Sequence, residues 1–325
     1  MDYQYCIQYE PFWGSWYITK LIGEGSYGSV FEIEKSELGH SYKAALKAIS
    51  VPPSQNDAED MKMDGLDDEG VTTYYTEVAQ NMMNEFTIMS EMKGESNIVS
   101  IEDVSTFRKK EGIGWDIFVR MELLSPVETW FKQNAPDQSE ILRMGIDICR
   151  ALELCEENHI IHRDIKPANI FMSKAGHYKL GDFGVSRMVE GTSAASTRVG
   201  TLSYMAPEVY LGQRYDHTVD IYSMGLVLYR YLNHGRLPFL PDYPAQIRPS
   251  DREIARFRLF RGDPLPMPAG IGDALSDILV KACAFNPEDR YQRARDMGKD
   301  LLMVLKDNIA VKGKRSPKTG LMCSS

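Results

Sequence analysis

Nearly every second position after Ser29 is apolar: Val30, Phe31 and Ile33 stand among Ser29, Glu32 and Glu34. That rough alternation predicts a strand with one face buried. A further strand, YKAALKAIS, follows the turn at Glu37-Leu38-Gly39-His40, and residues 16–50 read throughout as strand and turn. Over 51–80 the pattern breaks. Pro52, Pro53, Gly65 and Gly70 predict a loop there with at most one short ordered piece. From Val78 to Met92 the residues Val78, Met82, Phe86 and Met89 recur at helical spacing, with Glu85 beside the stripe. Strands return in NIVSIEDVSTFR and WDIFVRMELL. Beyond Pro136 the spacing is mainly helical: Ile141, Met144, Ile148, Ala151, Leu152 and Cys155 form one apolar face, and TVDIYSMGLVLYRYL and ALSDILVKACAF read as further core helices. The chain thus divides into a strand-rich N-terminal third and a helix-rich remainder, an α+β pattern without an internal repeat. Its polar end, KGKRSPKTGLMCSS, reads as a flexible tail.

Composition narrows the class. With 325 residues, 43% hydrophobic and 26% charged, the chain is long enough for a sizeable core and ordinary for a globular protein. A net charge of -9 argues against a general nucleic-acid binder. No apolar run approaches the roughly 18 residues of a membrane span, and the acidic, aromatic start MDYQYCIQYEPFWGSWYITK is unlike a signal peptide. A cytoplasmic protein without a membrane segment is expected. Cys6, Cys149, Cys155, Cys283 and Cys323 make no C-x-x-C pair, so reduced thiols are expected. His159 and His162 form an H-x-x-H without neighbouring thiol or carboxylate ligands, which favours a structural role over a metal. Most of the negative charge sits in 51–80, where eight acidic residues face Lys62 alone. That insertion reads as a solvated segment, with a docking site for a basic partner as the alternative.

Gly23, Gly25 and Gly28 in LIGEGSYGSVFEIE have the spacing G-x-G-x-x-G. It serves dinucleotide sites, where it opens a helix, and also a hairpin that closes over ATP. Here strand patterning follows the glycines. IIHRDIKPANIF contains His162-Arg163-Asp164 and Asn169, the order H-R-D-x-x-x-x-N. Asp182-Phe183-Gly184 comes thirteen residues after Asn169, and GTLSYM leads into Ala206-Pro207-Glu208. In this order the motifs resemble those of the eukaryotic-like serine/threonine protein kinase family, over about residues 16–305.

The resemblance implies a two-lobed protein kinase fold: a strand-rich lobe over about 16–122 with the acidic insertion 51–80, and a helical lobe over about 126–305. Residues 1–15 are then an N-terminal extension and 306–325 a flexible tail. It implies ATP and Mg²⁺ as cofactors and protein Ser/Thr hydroxyls as substrates. Asp164 is the expected acceptor of the substrate proton and Lys166 a positive charge at the transferring phosphoryl group; Asn169 and Asp182 are the expected oxygen ligands of the metal. Lys47 matches the lysine that grips the α- and β-phosphates. Its expected partner is Glu85, with Glu77 and Glu91 as alternatives. The glycine hairpin runs Gly23, Glu24, Gly25, Ser26, Tyr27, Gly28 and Ser29. Ile22, Val30 and Ala45 match the adenine roof and Phe171 its floor; Met121 matches the gatekeeper, and Glu122 and Leu124 the backbone contacts to the purine. Glu128 is equally a contact to ribose or a basic substrate and an exposed charge.

Lys166 and Thr201 favour Ser/Thr over tyrosine specificity. Arg163 before the catalytic aspartate marks kinases controlled through the activation segment, where Thr192, Ser193, Ser196 and Thr197 offer hydroxyls. Thr197 is the expected primary phosphosite, reached by self-association and autophosphorylation, its phosphate binding Arg163 and Arg187. An unphosphorylated loop is the alternative. The resemblance also implies a Glu208–Arg290 pair, an Asp220 brace under the catalytic loop, and a column of Met89, His162 and Phe183. Three rivals are weighed. A pseudokinase would lack part of the set Lys47, Asp164, Asn169 and Asp182. Small-molecule phosphotransferases of related fold lack G-T-x-x-Y-x-A-P-E, and a dinucleotide oxidoreductase needs a helix at the glycines. Bacterial members of the family also occur with a membrane anchor and sensor after the kinase; a stand-alone form and a longer chain are both compatible with residues 306–325.

Overall fold

The computed structural model describes residues 1–25, 28–182 and 201–315. They form two compact units, one of residues 1–126 with 171–182, the other of 127–170 with 201–315. The first is built on five antiparallel strands: β1 (Tyr17–Gly25), β2 (Gly28–Glu37), β3 (His40–Val51), β4 (Ile101–Arg108) and β5 (Trp115–Met121), in the order β1-β2-β3-β5-β4. Strand pleating sorts their side chains onto two faces. Ala45 pairs with Met121 and Lys47 with Val119 on one face, while Leu46 pairs with Arg120, Ala48 with Phe118 and Ser50 with Asp116 on the other. The second face is covered by the start of the chain. Cys6, Phe12 and Trp16 are buried with Phe31, Ile33, Leu46 and Phe118 in one apolar cluster, and a short helix α1 (Tyr3–Cys6) lies within that covering segment. Strand β6 (Ser125–Pro126) pairs with β7 (Ile170–Met172), and β8 (Tyr178–Leu180) completes a small second sheet.

The acidic insertion is not a loop. Helix α2 (Gln55–Met63) and helix α3 (Asp68–Glu91) account for most of 51–80, which corrects the expectation from its glycines and prolines. Two caps explain the difference. The Ser54 hydroxyl accepts from the Asp57 amide at 3.3 Å while the Asp57 carboxylate accepts from the Ser54 amide at 3.0 Å, a capping box. The Asp67 carboxylate accepts from the Gly70 amide at 2.8 Å, and Asp68 and Glu69 in the first turn complement the helix dipole. One face of α3 is buried through Val71, Tyr75, Val78, Met82, Phe86 and Met89, so the stripe read from Val78 onward begins two turns earlier. The acidic side chains of 51–80 remain exposed, so the segment is solvated but helical.

The second unit is helical: α4 (Val127–Asn134), α5 (Gln138–Glu157), α6 (Pro207–Tyr210), α7 (Thr218–Leu232), α8 (Pro249–Phe260), α9 (Asp273–Ala282) and α10 (Ala294–Arg315). The predicted apolar face of α5 is buried from Ile141 to Cys155. Helices α7 and α10 pack against it so closely that a Cβ on Gly145 would lie 2.9 Å from Leu301 and 3.0 Å from Leu228. Buried Leu301 and Leu305 anchor α10, which continues through Arg315. The expected flexible tail from 306 is therefore helical over its first ten residues, since no proline interrupts the pattern before Pro317. Residues 316–325 lie outside the described residues.

Candidate active site

In the first unit, the hairpin between β1 and β2 closes with Gly25 opposite Gly28. Gly28 cannot be another residue without displacing β3: a Cβ there would sit 1.8 Å from the Ala48 carbonyl oxygen. Val30 faces Lys47 across the β2–β3 ladder. The Lys47 ammonium lies 2.7 Å from the Asp182 carboxylate, directly after β8. Glu85 is half-buried on α3 between buried Met82 and Met89, whereas Glu77 and Glu91 are exposed. Burial therefore separates Glu85 from its alternatives. Ala45 is buried and Met121 half-buried on the same sheet face, and Ile22 is exposed on β1.

Past Met121 the chain is held by a charged contact that periodicity did not reveal. Lys179 on β8 reaches Glu122 at 2.6 Å, and the same carboxylate oxygen accepts from the Ser100 amide at 2.7 Å. The Glu122 amide donates to the Ser100 carbonyl at 3.2 Å. Half-buried Leu124 follows two residues on. Phe171 packs on Gly181, where a Cβ would approach its ring to 3.0 Å. The residue before Asp182 must be small for that ring to keep its place.

In the second unit, the loop from His162 to Asn169 brings together three of the expected residues. Lys166 lies 2.7 Å from the Asp164 carboxylate. The Asn169 amide donates to the Asp164 carbonyl at 2.8 Å and to its carboxylate at 2.9 Å. Beneath them, buried Asp220 at the start of α7 accepts from the amides of His162 and Arg163, both at 2.7 Å. Burial pushes its carboxyl up, opposed by His162 and those two N–H groups. Arg163 has a left-handed backbone, φ 65°, with its guanidinium over the Tyr215 ring at 5.6 Å. Asp182 shares that backbone region, φ 57°. Both are uncommon for non-glycine residues.

Glu208 and Arg290 form the expected pair, with two contacts of 2.6 and 2.8 Å and almost no exposure. Glu128 lies 3.1 Å from Arg230, which also donates to the Tyr204 hydroxyl at 2.6 Å. Thr201 opens a short 3-10 turn to Ser203. Ser26, Tyr27, Phe183, Arg187, Thr192, Ser193, Ser196 and Thr197 lie outside the described residues.

The description "protein kinase domain" matches residues 16–300. The chain belongs to the eukaryotic-like serine/threonine protein kinase family. It is 40% identical over 171 residues to the serine/threonine-protein kinase PknB of Mycobacterium leprae, covering 51% of this chain and 26% of that protein. The corresponding PknB of Mycobacterium tuberculosis is 39% identical over 165 residues, 49% of this chain and 25% of that one. A probable PknB of Lactococcus lactis is 27% identical over 287 residues, covering 87% of this chain and 41% of the relative. The chain thus spans a quarter to two-fifths of the length of these curated relatives. Its architecture is that of a protein kinase, with the sheet and α3 in one unit and the helical bundle with the loop His162–Asn169 in the other. Among the described residues no helix is long and apolar enough to cross a membrane.

The sequence motifs located these charged residues along the chain, since each sits at a fixed offset within a short segment. Motif spacing missed the Lys179–Glu122 contact, the Arg163–Tyr215 contact and the covering of the sheet by residues 1–16. Each joins segments distant in sequence. The only available signals were a lysine in a buried strand and an unusually aromatic N-terminus.

Proposed function

We propose that this chain transfers the γ-phosphoryl group of Mg-ATP to serine and threonine hydroxyls of proteins in the cytoplasm, with residues 16–305 as the catalytic module. What carries the reading is the composition of two charge clusters: Lys47 on Asp182 in one unit, and Asp164 with Lys166 and Asn169 in the other. They are the groups phosphoryl transfer needs, because its protein-borne work is positioning and charge neutralisation.

The hairpin from Gly23 through Glu24, Gly25, Ser26, Tyr27 and Gly28 to Ser29 covers the phosphates. Ile22, Val30 and Ala45 lie above adenine, Phe171 lies below, and Met121, Glu122 and Leu124 border the purine edge, with Glu128 beyond. Lys47, oriented by Glu85, offsets the charge of the α- and β-phosphates. Asp164 accepts the hydrogen bond of the substrate hydroxyl and takes its proton as the oxygen bonds to phosphorus and the bond to ADP breaks. Lys166 adds positive charge beside the transferring group. Asp220 keeps Asp164 aimed by holding two amides of its loop.

Each unit offers an oxygen donor suited to a magnesium ion. Asp182 offers a carboxylate, and Asn169 turns its NH₂ group to Asp164, so its amide oxygen is the atom suited to a hard cation. Once bound, the ion neutralises phosphate charge. Control runs through the activation segment: in a self-associated pair one copy phosphorylates Thr197 of the other, with Ser193 and Thr201 as further hydroxyls and Arg163 as a phosphate partner.

The test incubates wild type, Asp182→Ala and Asp164→Asn with Mg²⁺, labelled ATP and a generic basic protein. Wild type labels itself and the acceptor, and Asp164→Asn lowers the rate about 10²–10⁴-fold, the size of a general-base contribution. Mass spectrometry finds the self-label between residues 192 and 201. No label in wild type, or equal label in Asp182→Ala, refutes the reading.

A further inference from the structure

The segment ahead of β1 is fastened to the back of the sheet at both ends of β5 and at the root of the glycine hairpin. The Tyr5 and Tyr9 hydroxyls donate to one oxygen of Asp116 at 2.6 and 2.7 Å, and the Ser50 hydroxyl donates to the other at 3.1 Å. Asp116 is fully buried. Burial, followed by the bond to Asp116, pushes the Tyr5 phenol up to about 12, so it remains a donor at neutral pH. Four residues along β5, the Arg120 guanidinium lies over Trp13 at 5.4 Å and over Trp16 at 4.9 Å. Between these ends the Phe118 ring meets Tyr9 at 4.8 Å and Phe12 at 4.9 Å. At β2 the Ser29 hydroxyl donates to the Met1 carbonyl.

These anchors share one face of the sheet. Positions 116, 118 and 120 of β5 alternate with 117, 119 and 121, and Met121 and Val119 pair with Ala45 and Lys47 on the opposite face. Ser29 stands between Gly28 and Val30. Arg120 and Ser29 thus each adjoin a residue assigned above to nucleotide, Met121 and Val30, and Phe118 and Asp116 continue the same face of β5 opposite Ala48, next along β3 from Lys47, and Ser50. A pleated strand cannot shift on one face and stay fixed on the other.

We infer that residues 1–16 form a strap that sets the nucleotide face of the sheet from behind, with Tyr5, Tyr9 and Trp13 as positioning residues for ATP. The inference rests on the proposed ATP-dependent kinase activity. Freeing the strap lets the hairpin root and β5 relax together, so nucleotide affinity falls while the catalytic loop, in the other unit, keeps its own geometry. Because the anchors are hydroxyls and rings, a substitution can release one of them while the rest of the strap stays in place.

Two variants release it in different ways: Tyr5→Phe/Tyr9→Phe removes the two strap donors to Asp116 and leaves that of Ser50, and Trp13→Ala removes a ring from Arg120 without stranding a buried charge. ADP affinity by calorimetry, KM for ATP, KM for a peptide, kcat and Tm are measured for each in the full chain, well below the melting range. Both variants are expected to weaken ADP binding and raise the ATP KM about tenfold, with peptide KM and kcat within about twofold, the pattern of lost ground-state nucleotide positioning. A lower Tm with unchanged ADP affinity and ATP KM overturns the strap, since that is what a purely structural cap produces. Wild type that binds ADP but transfers no phosphoryl group refutes the kinase reading while leaving the affinity comparison intact; wild type that binds no nucleotide refutes both.

Discussion

At the scale of single residues, the chemistry depends on buried polar atoms with assigned partners. Asp220 shows why the carboxylate matters: its two oxygens each accept one amide, which an asparagine could not do with its single carbonyl oxygen. Arg290 makes the same point in a larger setting. Its side chain has no exposure, and besides Glu208 it donates to the carbonyls of Ala284, Phe285 and Thr218. Removing the acid strands a buried guanidinium, so Glu208→Ala should destabilise the protein by about 3–5 kcal/mol. Urea unfolding of wild type and variant measures this directly; a loss below about 1 kcal/mol would show that the carbonyls alone satisfy the arginine. The pair was legible in the sequence through its motif positions, while its complete burial was not.

At the scale of elements, local rules succeeded where the core decides and failed where caps decide. Helix α7 occupies Thr218–Leu232, the stretch predicted from its apolar run, because it is buried almost all round. Helix α2 and the part of α3 before Val78 escape the pattern because glycines and prolines outweigh Ser54 and Asp67, whose side chains hold the exposed first-turn amides. If the Asp67 cap sustains the first turn of α3, Asp67→Ala should cost about 1 kcal/mol. Hydrogen exchange should speed up at residues 70–72 and stay unchanged around Met82. Uniform exchange along α3 would contradict a local cap. Helix α10 outran its expected end at 305 for a related reason: Leu301 and Leu305 fix the helix, and nothing in the next ten residues stops it.

At the scale of the molecule, the cysteines report on both units. Burial pushes the Cys6 thiol up to about 12 and also raises Cys149 and Cys155. Raised values keep the nucleophilic thiolate scarce, and full burial denies access to reagent. Iodoacetamide at pH 8 should therefore modify none of the three in the native protein and all of them in urea, as read by mass spectrometry. Modification of Cys6 alone under native conditions would show that the strap opens without its unit unfolding; modification of Cys149 would contradict the packing of α5. The sequence alone determined the kinase family, because its motif residues stand at fixed offsets within short segments. Only the tertiary structure decided that an aromatic N-terminus would cover the back of the sheet and that Lys179 would hold Glu122. Tyr5 and Asp116 stand 111 residues apart, and only the burial of a shared face brings such groups together.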